Sequence, residues 1–158
     1  MTTRQLLVLA AAALLLAALV LRLEHHGAPG IGTVVADPVR TPGVLNPDVT
    51  QATIGVTICV RGWTRTVRPP VEYTNALKAR QMRAYGEAGP PSAYQEDHLI
   101  SLELGGHPTD PRNLWPEPYP RASAVDRIEN ELNARVCGGS LSLRDAQEQE
   151  SALKHGEG

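Results

Sequence analysis

The most informative stretch of the chain reads Asp97-His98-Leu99-Ile100-Ser101-Leu102-Glu103-Leu104-Gly105-Gly106, and Asp110-Pro111-Arg112-Asn113-Leu114-Trp115-Pro116 follows it closely. It sets an acid beside a histidine, then a double-glycine turn, then an asparagine before an apolar pair. We expect residues 94–101 to form the first strand of a hairpin-like unit and residues 113–115 to form a short returning strand. Gly105-Gly106 supplies the positive-φ turn that starts the connecting loop.

Asp97, His98 and Asn113 carry side chains that suit the hydrolysis of a phosphodiester. Asp97 offers a hard oxygen to a divalent cation, and His98 offers a base for the proton of the attacking water. Asn113 can fix the orientation of the imidazole or of the backbone around it. Each residue type alone is common at protein surfaces, whereas the ordered set indicates a hydrolytic site.

This ordered set resembles the first two thirds of the His-Asn-His (HNH) nuclease motif, which belongs to the ββα-metal finger class. The resemblance implies a metal-dependent nuclease whose site lies on a strand, a loop, a second strand and a helix. It implies His98 as the general base, Asp97 as a metal ligand and Asn113 as the orienting residue.

The chain departs from that family at the third motif position, where the family has a histidine on the helix. No histidine occurs between His107 and His155. Because related fingers use asparagine there, the resemblance implies Asn130 as the second metal ligand, with Glu129 as the next candidate. A ligand set rich in oxygen predicts magnesium or manganese as the ion. His107 lies in the predicted loop and is not expected to bind the metal.

A wider resemblance covers most of residues 46–147. The chain is similar to a group of small exported bacterial proteins that carry a DHLIxLELGG…DPRNLWPEP motif and are related to HNH nucleases. This similarity implies the fold more directly than the activity. The residues that carry it lie at 46–54, 57–60, 67–70, 73–78, 129–132 and 136–137.

The amino-terminal segment is strongly apolar. Residues 6–21 are all Leu, Val or Ala, with an arginine on either side, so residues 1–23 are expected to be a signal peptide or a membrane anchor. The lack of an obvious small-x-small cleavage site favours a retained anchor. Residues 24–48 are rich in proline and glycine and predict a flexible linker, which leaves residues 49–158 for the HNH-like domain.

Export implies an oxidising compartment, in which Cys59 and Cys137 are expected to pair rather than to bind zinc. The alternative is two free buried thiols. A bridge between them would close most of the domain into one loop, which is worth about 4 kcal/mol by chain entropy.

The remaining patterns predict an α+β domain with a flanking strand and helices around the finger. Apolar residues alternate at residues 54–60, which predicts a strand. A helix is expected after Pro69-Pro70, ending near Gly86. A second helix is expected to start at Ser123, with Asp126 as its capping-box partner, and to end at Gly138-Gly139. Residues 142–154 predict a last helix with an acidic outer face.

The formal net charge of −2 argues against a protein that binds nucleic acid mainly by electrostatics. The charge is uneven, however, and a basic stretch precedes the acidic motif. Arg61, Arg65 and Arg68 in this stretch are the candidates for phosphate contacts, although a solvated helix face would explain them as well. Trp63 and Trp115 could stack on a base, and Trp115 could equally be part of the core.

The sequence therefore predicts an exported HNH-like metal-dependent nuclease that acts on DNA or RNA and is tethered to the membrane if the apolar segment is retained. One alternative is a non-catalytic extracytoplasmic module that binds a wall polymer or a partner protein. Another is hydrolysis of a phosphodiester outside nucleic acids, since metal-finger chemistry recognises phosphate before base.

Overall fold

A computed structural model describes residues 34–156 of the chain. The predicted signal peptide or anchor lies outside this range, as do residues 24–33 of the predicted linker. Within the range, no helix is both long enough and apolar enough to cross a membrane. The α+β class is confirmed by six elements, which are α1 (Trp63–Val67), α2 (Val71–Tyr85), β1 (Tyr94–His98), β2 (Leu114–Pro118), α3 (Tyr119–Cys137) and α4 (Leu143–His155).

Strands β1 and β2 pair antiparallel and form a two-stranded sheet. In this register Asp97 faces Trp115, and His98 faces Leu114. The returning strand runs further than residues 113–115, and it contains Pro116 and Pro118. A proline cannot donate to a neighbouring strand, and a two-stranded sheet leaves half of the backbone N–H groups of each strand free, so it tolerates both prolines.

Helix α3 follows β2 directly, and the prediction that it starts at Ser123 is wrong. It begins at Tyr119, with Pro118 as its N-cap and Pro120 in the first turn. Proline is tolerated in the first turn because its fixed φ is already helical and its missing N–H would have no partner within the helix. Ser123 therefore lies inside the helix, and the predicted capping box with Asp126 does not form.

The expected strand at residues 54–60 is also wrong. A short 3-10 turn occupies Ile54–Val56, and further turns follow it. The Thr57 hydroxyl donates to the carbonyl of Thr53, and the backbone N–H of Cys59 donates to Ile54. These local bonds satisfy the backbone without a partner strand. Ile58 is buried while Val56 is exposed, so the apolar pattern here reflects a few anchoring residues rather than a strand face.

The remaining helix limits agree with the sequence. Helix α2 follows the two prolines and ends at Gly86, which has a φ of 71°. Helix α3 ends at Cys137, before Gly138 and Gly139. The Ser142 hydroxyl caps α4 by accepting from the backbone N–H of Asp145 at 3.1 Å.

Residues 34–48, which the sequence analysis assigned to the linker, pack against the domain. Ala36 and Thr41 are fully buried, and the N–H of Ala36 donates to the carbonyl of Lys154. Leu45 forms an isolated bridge with Gly106, and the N–H of Asn46 donates to Gly105. This segment therefore bonds to the outer side of the loop that joins β1 and β2.

The predicted disulfide is confirmed. Cys59 and Cys137 are bonded, with a sequence separation of 78 and their Cα atoms 5.5 Å apart. The bond joins the turns after residue 53 to the end of α3. It lies beside a core cluster whose buried members include Ile58, Leu132 and Val136.

Removing this disulfide should destabilise the domain strongly. A loop of this length predicts a loss of about 4 kcal/mol in the free energy of unfolding, because the unfolded chain regains the entropy that the bond removes. This loss is measured by comparing the denaturant unfolding of the Cys59→Ala/Cys137→Ala protein with that of the oxidised wild type. A loss below about 1 kcal/mol would mean that the turns around Cys59 hold without the bond.

Candidate active site

Asp97 and His98 of the motif line a pocket between the end of β1 and helix α3. Its volume is about 210 Å³. Strand β1 and the turn after it form one wall, and α3 forms the other. Four of the predicted site residues and one predicted phosphate ligand line it, namely Asp97, His98, Glu129, Asn130 and Arg68.

His98 is held as a neutral base. Its Nε2 lies 3.0 Å from the carbonyl oxygen of Pro108. A carbonyl can only accept, so Nε2 carries the proton and Nδ1 keeps its lone pair. Burial lowers the pKa of the ring below its usual value, against the opposing effects of the Pro108 bond and of Asp97. The imidazole is therefore in the form that can take a proton from water.

Asp97 is buried and already surrounded by donors. Its Oδ2 accepts from the Lys154 ammonium at 2.7 Å, and its Oδ1 accepts from the Gln95 amide at 3.1 Å. Burial alone would raise its pKa, but the charge of the Lys154 ammonium and its hydrogen bond outweigh this effect and lower the pKa to about 2. Asp97 is therefore ionised at any physiological pH.

Lys154 is the functional candidate that the sequence analysis missed. Its side chain is fully buried. Its Nζ donates to Asp97 Oδ2 at 2.7 Å, to Glu129 Oε1 at 2.6 Å and to the carbonyl of His98 at 2.5 Å. Burial lowers the pKa of Lys154, but the surrounding carboxylates raise it well above its usual value. The ammonium thus remains charged and joins β1, α3 and α4.

Glu150 completes this cluster from the same helix as Lys154. It is fully buried and lies 3.4 Å from the lysine Nζ, and its carboxylate accepts from the backbone N–H of Ser101. The last helix was expected to turn its acids outward, and for Glu150 this is wrong. The signal in the sequence is a Glu-Lys pair four residues apart, a spacing that places both side chains on one face.

The pKa values of Glu129 and Glu117 are both raised, which favours their protonated forms near neutral pH. Burial is the main cause for both, and it raises the pKa of Glu129 to about 9 and that of Glu117 to about 8. The charge of Asp97 adds to both shifts. Glu117 lies on β2, two residues beyond the partner of Asp97, and its Oε1 lies 3.3 Å from Nε of Arg121.

Asn130 lines the pocket but is bonded elsewhere. Its amide Nδ2 donates to the carbonyl of Asp126, one turn earlier on α3, at 2.6 Å. The side chain therefore lies along its own helix. This bond does not direct the Asn130 amide oxygen toward Asp97 or Glu129.

The donor set does not fit a divalent metal as it is arranged. Across residues 34–156, no three side chains of histidine, cysteine, aspartate or glutamate converge as metal ligands. The two side chains predicted as acidic ligands, Asp97 and Glu129, both contact one ammonium instead. The Lys154 ammonium thus lies where the resemblance implied a metal ion, between Asp97 and Glu129.

Asn113 fixes the loop rather than the imidazole. It is fully buried, and its Oδ1 accepts from the N–H of Ile100 at 3.0 Å. Its Nδ2 donates to the carbonyls of Ile100 and His107, each at 3.0 Å. A Cβ on Gly106 would overlap the carbonyl oxygen of Ile100, so this close approach requires glycine. The asparagine thereby holds the backbone just after His98.

The remaining predicted nucleic-acid ligands lie apart from this pocket. Arg61 lines a second pocket of about 250 Å³ beside the disulfide, and Arg65 is exposed on α1. Trp63 is partly buried against the core. Trp115 is fully buried and packs on Leu99, so it belongs to the core and is not open to a base.

Comparison of the chain with protein-family models, with curated proteins and with solved structures gives no match. What the pocket does must therefore follow from the chemistry of its residues. The HNH resemblance remains a hypothesis about that chemistry.

Asn113→Ala should lower the free energy of unfolding by about 2–4 kcal/mol, because it leaves three buried backbone groups without a partner. Asn113→Asp should be at least as damaging, since a carboxylate would face two carbonyl oxygens. Urea unfolding measures both, with Asn75→Ala on the exposed face of α2 as the control. If Asn113→Asp is as stable as wild type, the two amide donations do not hold the loop.

Glu96 should make the stability depend on pH. Burial raises its pKa to about 8, and neither carboxylate oxygen has a hydrogen-bond partner within the described range. The folded state keeps this proton up to about pH 8, while the unfolded chain loses it near 4.5, so the free energy of unfolding falls as the pH rises between them. Glu96→Gln cannot ionise, so the difference in free energy of unfolding between this variant and wild type should grow in favour of the variant from about pH 4.5 to about pH 8. An advantage that stays constant with pH, or one also seen for the exposed Glu131→Gln, would contradict this.

Proposed function

We propose that this chain is an exported HNH-like nuclease that hydrolyses phosphodiester bonds in DNA or RNA. The observation that carries the proposal is the convergence of Asp97 and His98, at the end of β1, with Glu129 and Asn130 of α3 in one open pocket. The order of strand, loop, strand and helix supports the ββα-finger scaffold that the motif implies. The disulfide agrees with export to an oxidising compartment.

His98 supplies the base. A water oxygen attacks phosphorus and forms the new P–O bond, while one of its protons passes to Nδ1 of His98. The bond from phosphorus to the leaving oxygen breaks, and that oxygen takes its proton from solvent. The Pro108 carbonyl accepts from Nε2 of His98, so Nδ1 is the nitrogen that takes the proton from water. The ring then becomes an imidazolium, and the negative charge of Asp97 stabilises it.

Arg68 is the cation placed to meet the phosphate. It is exposed and lines the same pocket as His98. A guanidinium can give two parallel hydrogen bonds to phosphate oxygens. Arg61 and Arg65 lie outside this pocket and would contact phosphates further along a bound strand.

A non-catalytic binding module is the second candidate. The buried cluster of Lys154 with Asp97 and Glu129 favours it, because buried ion pairs also occur as purely structural features. Under this alternative, His98 would only fasten the loop through Pro108. Cleavage assays separate the two candidates, because only the first predicts product.

The full chain, oxidised and purified in mild detergent, should cut plasmid DNA or RNA, and His98→Ala should reduce the rate by about 100-fold or more. His155→Ala is the matched control, since His155 also bonds a backbone carbonyl but does not line the pocket. Arg68→Ala should weaken substrate binding more than Arg65→Ala. If folded wild type makes no product, or if His98→Ala cuts as fast as wild type, the nuclease proposal fails.

A further inference from the structure

We propose that the buried ammonium of Lys154 takes the place of the divalent cation in this pocket, so that Asp97 and Glu129 bind no metal in the folded domain. The inference deepens the proposed function, on whose site it rests, by identifying the cation of that site. It replaces the magnesium or manganese that the motif resemblance implies.

The coordination of the ammonium is complete. Lys154 Nζ has three N–H donors, and three oxygens lie within 2.7 Å of it, on Asp97, Glu129 and the carbonyl of His98. A fourth oxygen, on Glu150, lies at 3.4 Å. Three carboxyl groups and a carbonyl thus surround one point, and oxygen is the ligand atom that a hard cation prefers. Here this cage of oxygens encloses the end of a lysine.

The acceptors of Asp97 are also in use. Gln95 donates to one oxygen and Lys154 to the other. A metal ligand would have to give up at least one of these bonds.

A metal and the ammonium would exclude each other. Magnesium and manganese bind carboxylate oxygens at about 2.1 Å, so an ion on the two oxygens that Lys154 now holds would lie within a few ångströms of a buried positive charge. Lys154 cannot easily withdraw. Its side chain is fully buried, and its backbone carbonyl accepts from the N–H of Ala36, so the end of α4 would have to move.

The first measurement is manganese binding to the full-length wild type, followed by the paramagnetic signal of the free ion. We expect no site tighter than about 1 mM in the pocket, a strength that oxygen-ligand sites outside the cell commonly reach. The same titration of Asp97→Asn identifies binding elsewhere on the chain, because only a pocket site should disappear. Wild-type binding tighter than about 1 mM that is lost in Asp97→Asn would overturn the proposal.

The second measurement removes the lysine. Lys154→Met keeps the length of the side chain but leaves the carboxylates without their ammonium, so manganese should now bind at least about 10-fold more tightly, and about 10 mM of the ion should raise the melting temperature by several degrees. Lys154→Met/Glu150→Gln carries one charge fewer and provides a folded variant if the single change unfolds. A folded variant with no gain in manganese binding would show that the cage is not a cation site and would overturn the proposal.

Cleavage gives a separate result. Under the proposal, wild type cuts equally well in EDTA and in magnesium, and cutting that EDTA abolishes and magnesium restores would overturn it. A folded chain that cuts under no condition refutes the nuclease function instead. The manganese titrations then still decide which cation the pocket holds, because they require no activity.

Discussion

The Lys154 ammonium fixes the geometry around the candidate site, because it bonds β1, α3 and α4 at one buried point. Removing a charge from water is costly, so this lysine remains buried only while its oxygen partners surround it. Loss of one member of a buried ion pair commonly costs about 3–5 kcal/mol, since the partner is left uncompensated. The position of Asp97 and the packing of the last helix therefore depend on each other.

A second set of bonds orders the backbone on either side of His98. The Lys154 ammonium holds the His98 carbonyl, Pro108 holds the ring, and Asn113 holds Ile100 and the carbonyl of His107. Residues 44–46 add backbone bonds to the loop from its outer side. Each of these partners is a backbone group or a buried side chain, so the imidazole orientation is set by the fold and does not require a ligand.

The sequence predicted those features whose signals are local. The double glycine, the cysteine pair, the Ser142 cap and the strand at Asp97 each depend on residues near one another or on a single pairing choice. The errors arose where a local pattern had another explanation. The Thr57 hydroxyl bonds the backbone in the turns after residue 53, and α3 begins at Tyr119, with a proline in its first turn, rather than at Ser123. Lys154 was missed because it is 57 residues from Asp97 in sequence, and only the packing of α4 brings them together.

A fixed ammonium gives this pocket a different electrostatic character from that of a metal centre. A divalent ion would carry two charges and would contact the phosphate directly, whereas the Lys154 ammonium is fully buried and acts through the carboxylates in front of it. Because Asp97 is ionised and Glu129 is protonated near neutral pH, their cluster with Lys154 repels a phosphodiester far less than two free carboxylates would. Under the proposed function, direct contact with the phosphate is left to the exposed Arg68, and Asp97 stabilises the charged His98.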